Sequence, residues 1–222
     1  MPSSLSAEVP APACTITPAA PADLTEAARV LAEAFQDDAP LRATLGLPGT
    51  VPPERSEALF ACILEDGPLP SGTVDVARVG GRVVGVGVWT CPAGAHVGLR
   101  GHLRTLPRYV HALGLLGALR AARTDDAVAA HRPARPSWYL KVLGVAPEHR
   151  GKGIGTALME YRLAIVDAED DDAYLESSTP ESGRVYERLG FTAMRPVEAW
   201  EGARPWAMWR EARSRRREAP EG

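Results

Sequence analysis

The feature that most restricts this chain is an apolar strand that runs through a glycine-rich turn into a helix. Leu143-Gly144-Val145 ends the run Trp138–Val145, and Arg150-Gly151-Lys152-Gly153-Ile154-Gly155 follows shortly after. Ile154, Leu158, Tyr161, Ile165 and Ala168 then recur at helical spacing, which predicts a helix from Ile154 to about Ala168. A helix start of this kind exposes several backbone N–H groups at the positive end of the helix dipole. Glycine lets the backbone adopt positive φ and lets an anion approach closely. Arg150 and Lys152 add two positive charges, so the turn suits a pyrophosphate. Two phosphate-binding patterns fail. GxxxxGK[ST] is absent, and GxGxxG counted from Gly151 ends on Thr156. Asp171, about twenty residues on, lies in an acidic segment before a strand rather than at a strand end, unlike the ribose-binding acid of dinucleotide folds.

Around this unit the patterning predicts a single domain over residues 13–210, of α/β (α+β) class, with a mostly antiparallel sheet. Cys14–Thr17 reads as a short strand. Leu24, Ala28, Leu31 and Phe35 mark a first helix, with Asp23 as cap and Glu26 three residues on. Pro40, Pro48, Pro52 and Pro53 predict a loop, and a second helix starts near Ser56. Two β-branched runs around Gly80-Gly81 predict a hairpin. Val97 to about Arg123 reads as a helix loosened by Gly114 and Gly117, with a separate short helix over Asp125–His131. Ala173–Ser178, Phe191–Arg195 and Pro205–Trp209 read as strands, and Ser182–Gly190 as a short helix stopped by its last glycine. Residues 1–12 are rich in Pro, Ala and Ser and are expected to be disordered. Residues 211–222 are expected to form a solvated, charged tail.

The formal net charge of −3 excludes a generic nucleic-acid binder, which carries a basic excess. The longest charge-free stretch, Val83 to Leu99, holds Pro92 and four glycines and so excludes a membrane span there. Three cysteines without CxxC spacing suit a reducing, cytoplasmic setting. The N-terminus shows no secretory pattern. The histidines lack ligand spacing, so no metal is expected.

The strand ending in Leu-Gly-Val followed by [QR]xxGxG, here Arg150 to Gly155, resembles the acyl-CoA motif of the GNAT acetyltransferases. The Tyr-x-x-x-Gly-Phe ending, Tyr186 to Phe191, is that family's other hallmark. Residues 131–158, 174–191 and 201–210, together with Ala32–Pro40, resemble its puromycin N-acetyltransferase-like actinobacterial members. The resemblance implies a GNAT fold with a splayed central strand pair, acetyl-CoA as co-substrate and a small-molecule amine as acceptor, with an antibiotic or amino-nucleoside among the candidates. It implies backbone pairing of the pantetheine with Leu143, Gly144 and Val145. Pyrophosphate contacts fall to Arg150, Gly151, Lys152, Gly153, Ile154, Gly155 and Thr156. Ser182 stands where many members carry an Asn that bonds to CoA.

By the same resemblance Tyr186 is the acid that protonates the departing thiolate. A tyrosine of pKa ~10 stays protonated at neutral pH, while the thiol it serves has a pKa near ~8.5. Glu176 is the candidate base for the amine proton, with a structural ion pair as its other role. Asp37 and Asp38 fall where members line the acceptor pocket; Asp38 replaces an aromatic of the puromycin-type group. Trp138 and Tyr139 are expected to pack. Acetylation of a protein lysine or N-terminus, and a non-catalytic CoA-binding module, stand beside the small-molecule reading. The expected state is a monomer or homodimer without nucleic-acid or membrane partners.

Overall fold

The computed structural model describes residues 14–46, 49, 51–66, 68–69, 71, 73–92, 99–199 and 204–218, the side chains of 99–105 and 218 excepted. The expected N-terminal extension, the start of the helix at Val97 and the last four residues of the tail lie outside the described residues.

The β-branched runs pair as a seven-stranded sheet in the order β1-β2-β3-β4-β5-β7-β6. The strands are β1 (Thr15–Pro18), β2 (Val74–Val79), β3 (Arg82–Thr90), β4 (Trp138–Val145), β5 (Ala173–Ser177), β6 (Thr192–Pro196) and β7 (Trp206–Arg210). All neighbours are antiparallel except β4 and β5, joined in parallel through the predicted helix α5 (Ile154–Ala168). The remaining helices are α1 (Leu24–Ala34), α2 (Ala39–Leu45), α3 (Pro53–Glu65), α4 (Leu99–Ala129), α6 (Pro180–Arg188) and α7 (Arg213–Glu218). This is the mixed, mostly antiparallel architecture that the resemblance implied.

Helices cover both faces of the sheet. Leu31, Val30 and Ala27 of α1 bury against Val74, Val76, Val86 and Val88, and α3 and α4 pack behind them. On the other face Ile154 and Leu158 of α5 meet Ala77 and Val84, while Met159, Leu163 and Val166 meet Trp89, Leu140 and Leu175. Two glycines permit this closeness. A Cβ on Gly144 would stand 2.9–3.2 Å from Leu31, Ala34 and Phe35, and one on Gly85 would stand 3.0 Å from Ile154 and Leu158.

Four local expectations are corrected. Pro40 starts a helix instead of breaking the chain: Asp38 caps α2 by accepting Leu41 N–H at 2.7 Å, and Pro40 sits in the first turn, where a missing N–H costs nothing. Asp23 does not cap α1; its carboxylate reaches back to Ala20 N–H at 2.7 Å and closes the turn before the helix. Two helices do lie between Val97 and His131, but they divide at Gly114 (φ 72°, ψ 167°) within the span labelled α4, and Asp125–Ala129 continues the second of them instead of forming a helix of its own. The arginine-rich tail is not simply solvated. As α7 it docks on the α5–β5 connection, with Arg216 at 2.9 Å from Asp167, Arg215 at 2.5 Å from Asp172, and Ser214 N–H at 2.8 Å from Asp170.

Asp167 also receives both ends of the Arg210 guanidinium at 2.7 and 2.8 Å. The Arg210 hydrogen bonds, aided by Arg216, hold its carboxyl down at about 2. A depressed carboxylate stabilises the fold above its unfolded pKa and loses that contribution as pH falls through the folded value. Thermal melts should therefore show stability falling between about pH 4 and pH 2, and Asp167→Asn should flatten that acid limb. A limb of unchanged depth in the variant would show that the Asp167–Arg210 pair carries none of it.

Candidate active site

Where β4 reaches Lys141 the sheet comes apart. Val88 lies opposite Val142 and Trp89 opposite Leu140, so Lys141 is an extra residue, a bulge that re-aims the strand. β4 pairs with β5 only over Trp138–Leu140, against Ala173–Leu175. From Lys141 to Val145 the β5 side of β4 has no ladder partner among the described residues, and Leu143, Gly144 and Val145 lie on that open edge.

β4 then feeds the glycine turn. Gly151 (φ 73°) and Gly153 (φ 78°) are left-handed, and a Cβ on either would meet nothing within 4 Å. Gly153 is the N-cap of α5 and supplies no side-chain bond, so the first N–H groups of the helix lack a side-chain cap. Ile154 buries its side chain in the core and offers only its backbone; Gly155 and Thr156 are half-buried beside it. Arg150 is exposed and donates to the Ala34 carbonyl at 2.6 Å, at the end of α1; Lys152 is exposed. This open, uncapped turn beside an unpaired strand edge fits a pantetheine arm ending in a pyrophosphate.

On the α1 face of the sheet, the parallel register sets Tyr139 beside Tyr174, and Glu176 lies two residues further along β5 on the same face. Tyr139 donates its hydroxyl proton to Glu176 Oε2 at 2.9 Å, and the Arg132 guanidinium lies 3.7 Å over the Tyr139 ring. Glu176 Oε1, Tyr174 Oη and Arg132 Nε are the three buried side-chain atoms without a partner among the described residues. All belong to this cluster, and unpaired buried polar atoms are costly. Burial pushes the Glu176 carboxyl above the usual carboxylate range, against the downward pull of Tyr139, Arg132 and Tyr174; Asp125 adds to the rise. Burial raises the Tyr139 and Tyr174 hydroxyls as well, so both keep their protons at neutral pH. Tyr139 therefore belongs to the site and does more than pack. Among the described residues Glu176 makes no direct ion pair.

Glu176 and Ser178 of the β5 end, with Lys141 and Val142 of β4, form one wall of a cavity of about 500 Å³ that abuts the strand separation. The other walls come from α1 to α4 and are largely apolar, with Phe35, Leu41, Leu59, Phe60 and Ile63. Asp38 lines it, with its carboxyl raised by burial, whereas Asp37 is exposed and outside the lining. Asp66, Asp125 and Asp126 also line it, and sequence reasoning had not singled them out. They come from the ends of α3 and α4, which no local pattern marks as neighbours.

Tyr186 lies across β5 from Glu176, packed edge-on to Phe191 with ring centroids 6.0 Å apart, among Trp89, Leu140 and Leu175. Burial raises its hydroxyl to about 12. Ser182 is committed to α6: its hydroxyl meets Ser177 Oγ at 2.7 Å and donates to Thr179 O at 2.9 Å, and its N–H is capped by Thr179. The contact expected of it with CoA competes with these bonds.

Residues 111–193 match the acetyltransferase (GNAT) domain model. The crystal structure of "histone acetyltransferase HPA2 and related acetyltransferase" from Corynebacterium glutamicum superposes with a TM-score of 0.69 at 30% identity, covering 91% of this chain and 97% of that one. The polyamine N-acetyltransferase of Drosophila melanogaster superposes with a TM-score of 0.58 at 18% identity, covering 89% of this chain and 98% of that one. An uncharacterised N-acetyltransferase of Schizosaccharomyces pombe is 38% identical over 61 residues, which is 28% of this chain and 25% of that protein. The match thus spans about a quarter of that relative's length.

Proposed function

The chain belongs to the GNAT acetyltransferase family, and from that premise we propose that it moves an acetyl group from acetyl-CoA to the primary amine of a small molecule. One observation carries the reading. β4 parts from β5 beside a cavity of small-molecule size whose wall holds a buried carboxylate with a free oxygen, and the same strand leads on to the uncapped α5 N-terminus.

The backbone of Leu143, Gly144 and Val145 binds the pantetheine. The turn from Arg150 to Thr156 holds the diphosphate, with Gly151 and Gly153 giving the close approach. When bound, acetyl-CoA supplies an activated acyl carbon. Glu176 Oε1 accepts the proton that the amine must lose before it attacks, and Tyr139 holds the Glu176 carboxylate in place through Oε2. Tyr186 keeps its proton at neutral pH and gives it to the departing sulfur. The walls formed by α1 to α4 favour a small acceptor over a peptide, and an amino-nucleoside or aminated antibiotic falls within this class. The unpaired thiols of Cys14, Cys62 and Cys91 suit a reducing cytoplasm.

Thiol release from acetyl-CoA in the presence of an amine panel, with acetylated product identified by mass spectrometry, tests the reading. Turnover with none of the amines despite CoA binding would sink it. Gly153→Val tests the cofactor half: a valine at this left-handed position costs about 1–2 kcal/mol and covers the amides. Calorimetry should show CoA affinity reduced about tenfold or more, the scale of lost charge-assisted hydrogen bonds. Affinity equal to the parent protein's would remove the turn from the binding site.

A further inference from the structure

Strand register sets three aromatic rings in a row across the sheet. Tyr139 of β4 lies opposite Tyr174 of β5, which lies opposite Trp209 of β7, with ring centroids 6.0 and 6.4 Å apart. The segment 130–137, between α4 and β4, lays an arginine over each end of the row. Arg132 stands 3.7 Å from the Tyr139 ring centroid and Arg135 stands 4.8 Å from that of Trp209. Pro133 and Pro136 restrict the backbone next to these arginines.

The two arginines are held differently. Arg132 Nε is buried without a partner among the described residues. A ring face attracts a cation without the directional hold of a hydrogen bond, so the place of this guanidinium follows from where its backbone is fixed. Arg135 supplies the fixed point, with Nε 2.5 Å from Asp172 Oδ2. The other Asp172 oxygen accepts the Ala212 N–H at 2.7 Å and Arg215 at 2.5 Å. The Asp172 side chain is 3% exposed, and its backbone carbonyl accepts the Trp138 N–H at 2.9 Å. One buried acid thus ties the segment to the start of β5 and to the chain that leads into α7.

Resting on the transferase reading above, we propose that Arg135 and Asp172 are positioning residues for the transfer: their ion pair anchors the segment that lays Arg132 over Tyr139, the donor that holds the Glu176 carboxylate. Neither residue belongs to the described lining of the cavity. Besides burial, Tyr139, Arg132 and Tyr174 bear on Glu176 by favouring its charged form, and Asp125 opposes them. Arg135 therefore reaches the base through Arg132.

Arg135→Met removes the anchor at a half-exposed side chain, and thermal melting checks that the variant is folded. Glu176 should then hold its proton about 2- to 30-fold more tightly, the range seen for substitutions along coupled side chains. NMR titration of isotope-labelled glutamate carboxyls, assigned with Glu176→Gln, reads this without substrate. The rising limb of kcat/KM should move to higher pH by the same amount. Arg135→Lys should restore most of both. Asp172→Asn should shift both in the same direction, and Arg135→Met carries the test should that buried variant fail to fold. In an Arg132→Met background, Arg135→Met should change either readout by less than about twofold, since residues that act through one another are not additive. An Arg135→Met protein that titrates like the parent, or a full shift that persists in Arg132→Met, would overturn the proposal and leave the transferase reading standing. A shifted titration without thiol release from any amine would support the anchoring and sink the transferase reading.

Discussion

Glu176→Gln should lower kcat by about 10²–10⁴-fold, the usual contribution of a positioned general base, while leaving the protein folded. The glutamine keeps the shape and can still accept the Tyr139 hydroxyl at the position of Oε2. It also removes a buried charge, so its effect on stability should stay within about 1 kcal/mol. The pH profile gives a second readout. The base works when ionised, and burial holds its proton above the ordinary carboxylate range. The parent enzyme's kcat/KM should therefore climb with pH through a limb lying above that range, and the limb should vanish in Glu176→Gln. Tyr139→Phe removes a donor that favours the charged carboxylate, so the limb should move to higher pH. Loss of the Arg132 cation, which also favours the carboxylate, should move it the same way, whereas Asp125→Asn should move it down. A Glu176→Gln enzyme that keeps more than a tenth of parental kcat would exclude the residue as the base.

Asp75→Asn should cost about 3–5 kcal/mol, the penalty of leaving a buried charge without its partner. Asp75 is fully buried on β2 and takes a two-point bond from Arg162 of α5, at 2.8 Å from Nε and 2.7 Å from the terminal nitrogen. The same guanidinium lies 5.2 Å from the Trp138 ring. Domains are stable by only about 5–15 kcal/mol, so the loss is a large share of the whole. It also reaches the site, because the N-terminus of α5 forms the glycine turn and this pair fixes the helix on the sheet. Replacing both partners with apolar residues of similar size, as in Asp75→Leu with Arg162→Met, should recover most of the loss. Denaturant titration of the single and double variants measures this. A single variant within 1 kcal/mol of the parent would show that the pair is not holding α5.

The strand, turn and helix from Trp138 to Ala168 could be read directly, because backbone chemistry is local. Helical spacing from Ile154 to Ala168, two glycines next to each other in a hairpin, and β-branched runs each leave a pattern a few residues long. The same locality misled at Pro40, where one residue type serves equally as a breaker and as a first-turn residue, and only the cap from Asp38 decides. Glu176 and Tyr186 stood out by resemblance; nothing in their spacing marks a base or an acid.

Alternation along β5 says that Tyr174 and Glu176 share a face, but not which residue lies beside them. That depended on the parallel register with β4, which brought Tyr139 into hydrogen-bonding reach, and on the end of α4, which laid Arg132 over its ring. The cavity is likewise a product of packing: Asp38, Asp66 and Asp125 are far apart in the chain and line one cavity only because α1 to α4 close over one face of the sheet. By itself the sequence determined the glycine turn at a helix start that is proposed to hold the diphosphate, since that takes a few consecutive residues. Which side chains line the cavity proposed for the amine was left to the tertiary structure, because burial and long-range pairing set the proton affinity and the company of each group.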